Sequence, residues 1–186
     1  LAPSWYYEFD TYRGQEATPL VADGVLYNTS AWSKAYALNA ATGEVVWEVP
    51  LGNARGLAPW PIWWMLGDLG VPNLGGPITT ASGLTFIGAT TDGYLRAFMT
   101  DSGEELWRAH LPAAAHATPM TYQLDPEGRQ FVVVAAGGHM LLGSKPGDAL
   151  VAFGYIGVWN NPAAAGGSLD PTARSNISVS LFNNAL

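Results

Sequence analysis

Short apolar runs separated by turn residues recur along most of this chain, and their spacing predicts strands rather than helices. Ala17-Thr-Pro-Leu-Val-Ala22 leads to Asp23-Gly24 and then to Val25-Leu-Tyr-Asn-Thr29. Two apolar runs joined by Asp-Gly signal a tight hairpin, whose turn residues need positive φ. Lys34-Ala-Tyr-Ala-Leu38 is the next strand, Thr42-Gly43 turns it, and Glu44-Val-Val-Trp-Glu-Val49 returns. Four short strands joined by tight turns make one blade of an up-and-down propeller.

The order then repeats. Pro77–Thr80, Leu84–Ala89, Tyr94–Phe98 and Glu104–Arg108 are separated by Ser82-Gly83, Asp92-Gly93 and Ser102-Gly103. A third unit opens with Ala117-Thr-Pro-Met120, echoing Ala17-Thr-Pro-Leu20, and runs through Gln130–Ala135 to Asp148–Phe153. One phrase appears in two copies, Ala37-Leu-Asn-Ala-Ala-Thr-Gly-Glu-Val-Val-Trp47 and Ala97-Phe-Met-Thr-Asp-Ser-Gly-Glu-Glu-Leu-Trp107. A fixed-period repeat implies units that bury their faces against one another. Gly43 and Gly103 are expected at positive φ. Ala37 and Ala97 are expected where sheets approach closely, and Trp47 and Trp107 as flat plugs between sheets, each indole N–H finding a carbonyl. The third unit lacks the Gly–Trp ending, so the reading is all-β, with two complete blades and one truncated.

From about Gly157 the texture changes. Asn160-Asn-Pro-Ala-Ala-Ala-Gly-Gly-Ser168 has linker composition, and Asn176-Ile-Ser-Val-Ser-Leu-Phe182 alternates like one more strand. The chain therefore divides into blades over 1–156 and a linker with a strand-like tail over 157–186. Three fates are open for the tail: closing a sheet edge in cis, pairing with another copy, or disorder. The apolar stretch Leu57-Ala-Pro-Trp-Pro-Ile-Trp-Trp-Met-Leu66 holds two prolines and reads as a buried or interfacial loop. Asn28-Thr-Ser30 and Asn176-Ile-Ser178 match the glycosylation triplet, a pattern common by chance.

Composition narrows the chemistry. With no cysteine there is no disulfide framework and no thiolate site. A net charge of −7 with 8 Lys plus Arg argues against a nucleic-acid partner, which needs a basic track. No uninterrupted apolar run is long enough to span a membrane. Any signal peptide is expected to have been removed or to lie outside this chain. No His pair has metal-ligand spacing, and no Ser-His-Asp arrangement, phosphate-cradling loop or dinucleotide fingerprint is visible. His110 and His116 read as exposed loop residues.

Several long phrases resemble one family. Arg13-Gly-Gln-Glu-Ala-Thr-Pro-Leu-Val-Ala-Asp-Gly-Val-Leu-Tyr27 and Ala35–Gly43 resemble the first blade of the quinoprotein dehydrogenases, the pyrroloquinoline quinone (PQQ) dependent enzymes of glucose and alcohol type. Gly70-Val-Pro-Asn-Leu-Gly-Gly-Pro-Ile-Thr-Thr-Ala81, Phe86–Phe98, Ala117–Tyr122, Ala135-Ala-Gly-Gly-His139 and Gly147–Phe153 look like their C-terminal blades, particularly those of the glucose branch. The resemblance implies a ring of about eight blades with PQQ near its axis. It also implies that the middle blades, which in the family supply the calcium-ligand group, the catalytic aspartate and the tryptophan under PQQ, are not in this sequence. The catalytic residues are thus unassigned, and ligands for Ca²⁺ or Mg²⁺ are not found.

The resemblance marks Glu16 as a quinone contact, with a solvated strand-end carboxylate as the alternative. It marks Asn73 as pocket lining, or else a bare turn. Asp92 belongs to the active-site end by resemblance, but Asp-Gly is also ordinary turn chemistry. Arg96, like Arg13, suits a quinone carboxylate, or else a salt bridge to a neighbouring strand. His139 resembles a histidine near the substrate entrance, although Met140 stands where the family has glycine. These matches imply an oxidoreductase acting on an alcohol or sugar hydroxyl, periplasmic or secreted, with weak or absent turnover by this chain alone. The competing reading is a non-catalytic module that self-associates, or receives missing blades from another chain, through open blade edges and the tail.

Overall fold

A computed structural model describes residues 2–54, 62, 70–124, 129–155 and 180–181. The described strands form three four-stranded antiparallel sheets in chain order. The first comprises β1 (Leu20–Ala22), β2 (Val25–Ser30), β3 (Lys34–Asn39) and β4 (Val45–Pro50); the second, β5 (Ile78–Thr79), β6 (Leu84–Ile87), β7 (Tyr94–Met99) and β8 (Glu105–His110). The third comprises β9 (Met120–Gln123), β10 (Gln130–Ala136), β11 (Ala149–Tyr155) and β12 (Ser180–Leu181). A short 3₁₀ turn, Met140–Leu142, lies between β10 and β11.

Turn chemistry explains most of these boundaries. Asp23 and Gly24 have φ of 49° and 77° between the paired Ala22 and Val25, as a two-residue hairpin demands. Each first strand starts immediately after a proline, Pro19, Pro77 or Pro119. Proline has no N–H to give a ladder, so pairing begins one residue later. For that reason β1 is shorter than the expected Ala17–Ala22, and β9 lies downstream of the expected Ala117–Met120.

Tryptophans join the sheets. Trp47, on β4, is 8% exposed and donates its indole N–H to the Thr100 carbonyl in the second sheet at 2.8 Å. A Cβ built on Gly103 would lie 2.8 Å from the Trp47 ring, so glycine is needed there for contact as well as for its φ of 72°. Ala35 and Ala37 of the first sheet and Ile87, Ala89 and Phe98 of the second complete this core. A second core joins sheets two and three through Phe86, Leu95, Ala97, Val132, Val134 and Phe153. There Trp107 meets Phe153 edge-on at 5.3 Å.

Trp5 makes a further joint of the same form that the repeat pattern does not predict. Its indole N–H donates to the Ala40 carbonyl at 3.0 Å, and a Cβ on Gly43 would lie 2.6 Å from its ring. Trp5, Tyr7 and Phe9 alternate inward, and Tyr7 and Phe9 pack edge-on against the buried Tyr36 at 5.8 and 4.9 Å.

Of the fates open to the tail, pairing in cis is the one observed: Leu181 and Ser180 pair with Phe153 and Gly154. Asn28 and Ser30 are 7% and 0% exposed on β2, which removes that triplet from glycan access. The Asn176 triplet and, apart from the exposed Ile62, the Leu57–Leu66 stretch lie outside the described residues.

Candidate functional site

The three segments that lead into the first strands converge. Glu16-Ala-Thr-Pro19, Gly75-Gly-Pro77 and His116-Ala-Thr-Pro119 each end in the proline that starts a strand. The Gly76 N–H donates to Thr118 Oγ1 at 3.2 Å, and Thr29 Oγ1 donates to the Gly75 carbonyl at 2.8 Å. A Cβ on Gly76 would stand 2.8 Å from the Thr18 carbonyl oxygen, and one on Gly75 would stand 3.1 Å from the carbonyl oxygens of His116 and Ala117. Only glycine lets the three backbones approach so closely.

Around this junction lie three of the expected residues. Glu16 is exposed, two residues before Thr18. Asn73 is 1% exposed, and its backbone is bridged to Thr90. Both polar atoms of its side-chain amide lack a hydrogen-bond partner among the described residues. A buried amide without partners is costly, about 1–3 kcal/mol per group, and marks a place where a polar ligand atom would be welcome. His139 is half-buried, extended at φ −153°, with its Nδ1 buried and likewise unpartnered. The departure at Met140 is accommodated by the 3₁₀ turn, which leaves Met140 85% exposed.

His116 is not the exposed loop residue that its sequence context suggests. Its Nδ1 lies 3.0 Å from the Ala89 carbonyl and its Nε2 3.1 Å from Ser144 Oγ. The carbonyl can only accept, so Nδ1 carries the proton and Nε2 accepts from the serine. Burial is the main cause that lowers its pKa below the usual histidine value, and the nearby His139 adds to it, against the bond to Ala89. The two rings meet edge-on at 5.8 Å, and the His139 backbone N–H donates to the same Ser144 Oγ at 2.8 Å. His110, by contrast, is exposed, at the end of β8 against Tyr94.

Asp92 and Arg96 stand together, engaged with each other. Arg96 Nη2 contacts Asp92 Oδ2 at 2.5 Å, Nη1 donates to Asp92 Oδ1 at 3.1 Å and to Thr90 Oγ1 at 2.9 Å, and Nε donates to Glu105 at 3.2 Å. The arginine side chain is 2% exposed and the aspartate 9%. Burial pushes the Asp92 pKa up, but Arg96, Thr90 and the Asn53 N–H together hold it below the usual carboxylate value. Most of the guanidinium donors are therefore spent on protein partners, and Thr90 ties the pair to the backbone bridge of Asn73. Arg13 stacks its guanidinium on Trp32 at 3.9 Å, and among the described residues it forms no salt bridge.

Sequence alone did not single out Gly75, Gly76, Thr118 or Ser144 as site-forming residues. The shared Ala-Thr-Pro of Thr18 and Thr118 was the available signal. Among the described residues no group of three or more His, Asp or Glu is placed to hold a metal ion, and no helix is long and apolar enough to cross a membrane.

Residues 7–132 match the family model described as glucose/ethanol/alcohol dehydrogenase, β-propeller domain, of the PQQ type. The quinoprotein glucose dehydrogenase of Escherichia coli K12 is 46% identical over 124 residues, 66% of this chain and 15% of that protein. The glycerol dehydrogenase large subunit of Gluconobacter thailandicus is 38% identical over 136 residues, 70% of this chain and 18% of that protein. Among solved structures, the quinohemoprotein alcohol dehydrogenase ADHIIG of Pseudomonas putida HK5 aligns with TM-score 0.53 at 24% identity, covering 80% of this chain and 20% of that one. A europium-containing methanol dehydrogenase aligns with TM-score 0.54 at 23% identity, covering 84% and 25%. The chain thus spans less than one fifth of these curated relatives. Its three antiparallel sheets, tryptophan joints and matched sequence make it a member of the PQQ-dependent glucose/ethanol/alcohol dehydrogenase β-propeller family.

Proposed function

We propose that this chain forms part of the PQQ-binding wall of a dehydrogenase that oxidises an alcohol or sugar hydroxyl and passes the electrons to a quinone acceptor. The buried, unpartnered Asn73 amide beside the three-way junction carries this reading. PQQ when bound supplies a two-electron acceptor for hydride chemistry. The Asn73 amide offers one donor and one acceptor to a polar ring edge, and the Glu16 carboxylate accepts a hydrogen bond from a protonated ring group. His139 presents an unpartnered nitrogen for a substrate hydroxyl at the entrance. Arg96 and Asp92 act behind them, as positioning residues that fix Thr90 and through it the Asn73 bridge. A metal ion would draw its ligands from blades beyond these residues. The printed names of the relatives, a glucose and a glycerol dehydrogenase, support a sugar or polyol substrate class; a periplasmic or secreted location is part of the same proposal.

The test is titration of the chain with PQQ, with and without Ca²⁺, followed by PQQ absorbance, together with dye reduction on glucose and ethanol. The expected result is measurable PQQ binding that weakens at least about tenfold in Glu16→Ala and Asn73→Ala, each removing a polar contact, with little or no turnover. Binding unchanged in both variants would overturn the assignment. Strong turnover would overturn the view that catalysis needs further blades. A second reading, a non-catalytic module that docks onto another chain, is favoured by the open outer face of the third sheet.

A further inference from the structure

The unpartnered Asn73 amide and the unpartnered His139 Nδ1 stand on different elements. Asn73 lies in the segment leading into β5, and His139 in the loop between β10 and β11. Little packing holds that loop. Its 3₁₀ turn, Met140–Leu142, buries no residue, and Met140 and Leu141 are 85% and 92% exposed. Hydrogen bonds hold it instead. Leu142 and Ser144 donate their backbone N–H groups to the His139 carbonyl at 3.2 and 3.3 Å, and the His139 N–H donates to Ser144 Oγ at 2.8 Å. A Cβ on Gly138 would collide with the Lys145 carbonyl, so the neck of the loop is closed on itself.

One continuous run of hydrogen bonds connects the two unpartnered groups. Leu74, next to Asn73, donates its N–H to the Ala89 carbonyl at 3.2 Å, and His116 Nδ1 donates to the same oxygen at 3.0 Å. His116 Nε2 accepts the Ser144 hydroxyl at 3.1 Å, and Ser144 accepts the His139 N–H. The serine has one proton and two acceptors within reach, Nε2 and the His139 carbonyl at 3.3 Å. The Ala89 carbonyl decides between them. It can only accept, so it fixes the ring proton on Nδ1, leaves a lone pair on Nε2 and draws the serine proton there. A serine lone pair is then free for the His139 N–H. Burial lowers the His116 pKa below the usual histidine value, so the ring is neutral at neutral pH, as this arrangement requires.

We infer that His116 and Ser144 are positioning residues, which fix the His139 imidazole relative to the Asn73 amide. A cofactor edge on Asn73 and a substrate hydroxyl on His139 would then meet at a set separation. The gain is large in principle, since a displacement of about 1 Å at a reacting centre costs about a hundredfold in rate. Members of such a network also polarise one another, so losing one loosens the rest. The consequence for substrate rests on His139 receiving the substrate hydroxyl; the fixing of its ring does not.

The chain holds three histidines, so long-range proton–nitrogen NMR of the isotope-labelled chain resolves each ring, with His110→Gln assigning the exposed one. The parent chain should show the His116 proton on Nδ1. Ser144→Ala should turn His116 into a mixture of tautomers and shift the His139 ring nitrogens. It should also speed exchange of the His139 backbone amide about fivefold, the loss of one hydrogen bond. Ser144→Thr keeps the hydroxyl and should restore all three signals. His116→Phe should disturb His139 in the same way, with the serine left in place. A His116 proton on Nε2 in the parent chain would overturn the proposal, and needs no variant to be seen. So would His139 signals unchanged in Ser144→Ala, or no recovery in Ser144→Thr. Adding PQQ and then glucose separates the two readings: a His139 ring that responds to Ser144→Ala but not to glucose keeps the positioning role and removes the substrate assignment.

Discussion

Replacing Asp92 by alanine isolates the most heavily committed charge in the molecule. The change removes both contacts to Arg96, one from the Thr90 hydroxyl and one from the Asn53 N–H, and leaves a guanidinium at 2% exposure facing Thr90 and Glu105. Breaking a buried ion pair by deleting one partner typically costs about 3–5 kcal/mol, because the remaining charge stays desolvated. Glu105, one third exposed, still holds Nε, so the low end applies, about 3 kcal/mol. For a chain of this length that lowers Tm by about 6–12 °C. Urea unfolding followed by tryptophan fluorescence measures it directly. Asp92→Ala combined with Arg96→Met should recover most of the loss, because no unpaired charge remains. A single-variant loss below about 1 kcal/mol, or a double variant no better than the single, would refute the reasoning.

Two further outcomes follow from the joints and the histidine pair. Trp47→Ala should cost about 3–5 kcal/mol by opening a cavity between sheets, whereas Trp47→Phe should cost less; Gly103→Ala should also destabilise, through its φ of 72° and collision with Trp47. Equal stability of Trp47→Ala and the parent in chemical unfolding would count against the joint. His116 is held below its ordinary pKa of 6.5 in the folded state. The unfolded chain therefore takes up the proton first, so stability is full above pH 6.5 and declines as pH falls from there towards the folded value. His116→Gln should flatten that slope in thermal melts, and an unchanged slope would assign it to another group.

Local chemistry made much of the fold legible. Asp23-Gly24 selects a two-residue hairpin because both residues tolerate positive φ, and Gly43 and Gly103 turn the chain for the same reason. The runs Val25–Thr29 and Tyr94–Phe98 mark strands because each follows directly on an Asp-Gly turn and is bounded by turn residues. The repeated Gly-Glu-x-x-Trp marks sheets that stack. Of the site, sequence pointed to Glu16, Asn73 and His139 by resemblance, and left Asp92 and Arg96 between turn, salt bridge and cofactor.

The tertiary structure decided what depends on residues far apart in the chain. Trp5 docks on a carbonyl 35 positions away, and no Gly-Glu precedes it to reveal the role. Burial of His116 comes from Ala89 and Ser144, 27 and 28 positions distant, so its loop-like neighbours in sequence are misleading. The close approach at Gly75 and Gly76 exists only once three strand starts meet. Turn preference is a property of a few adjacent residues and can be read from them; desolvation and pairing are properties of the assembled sheets, and appear only when those sheets are in contact.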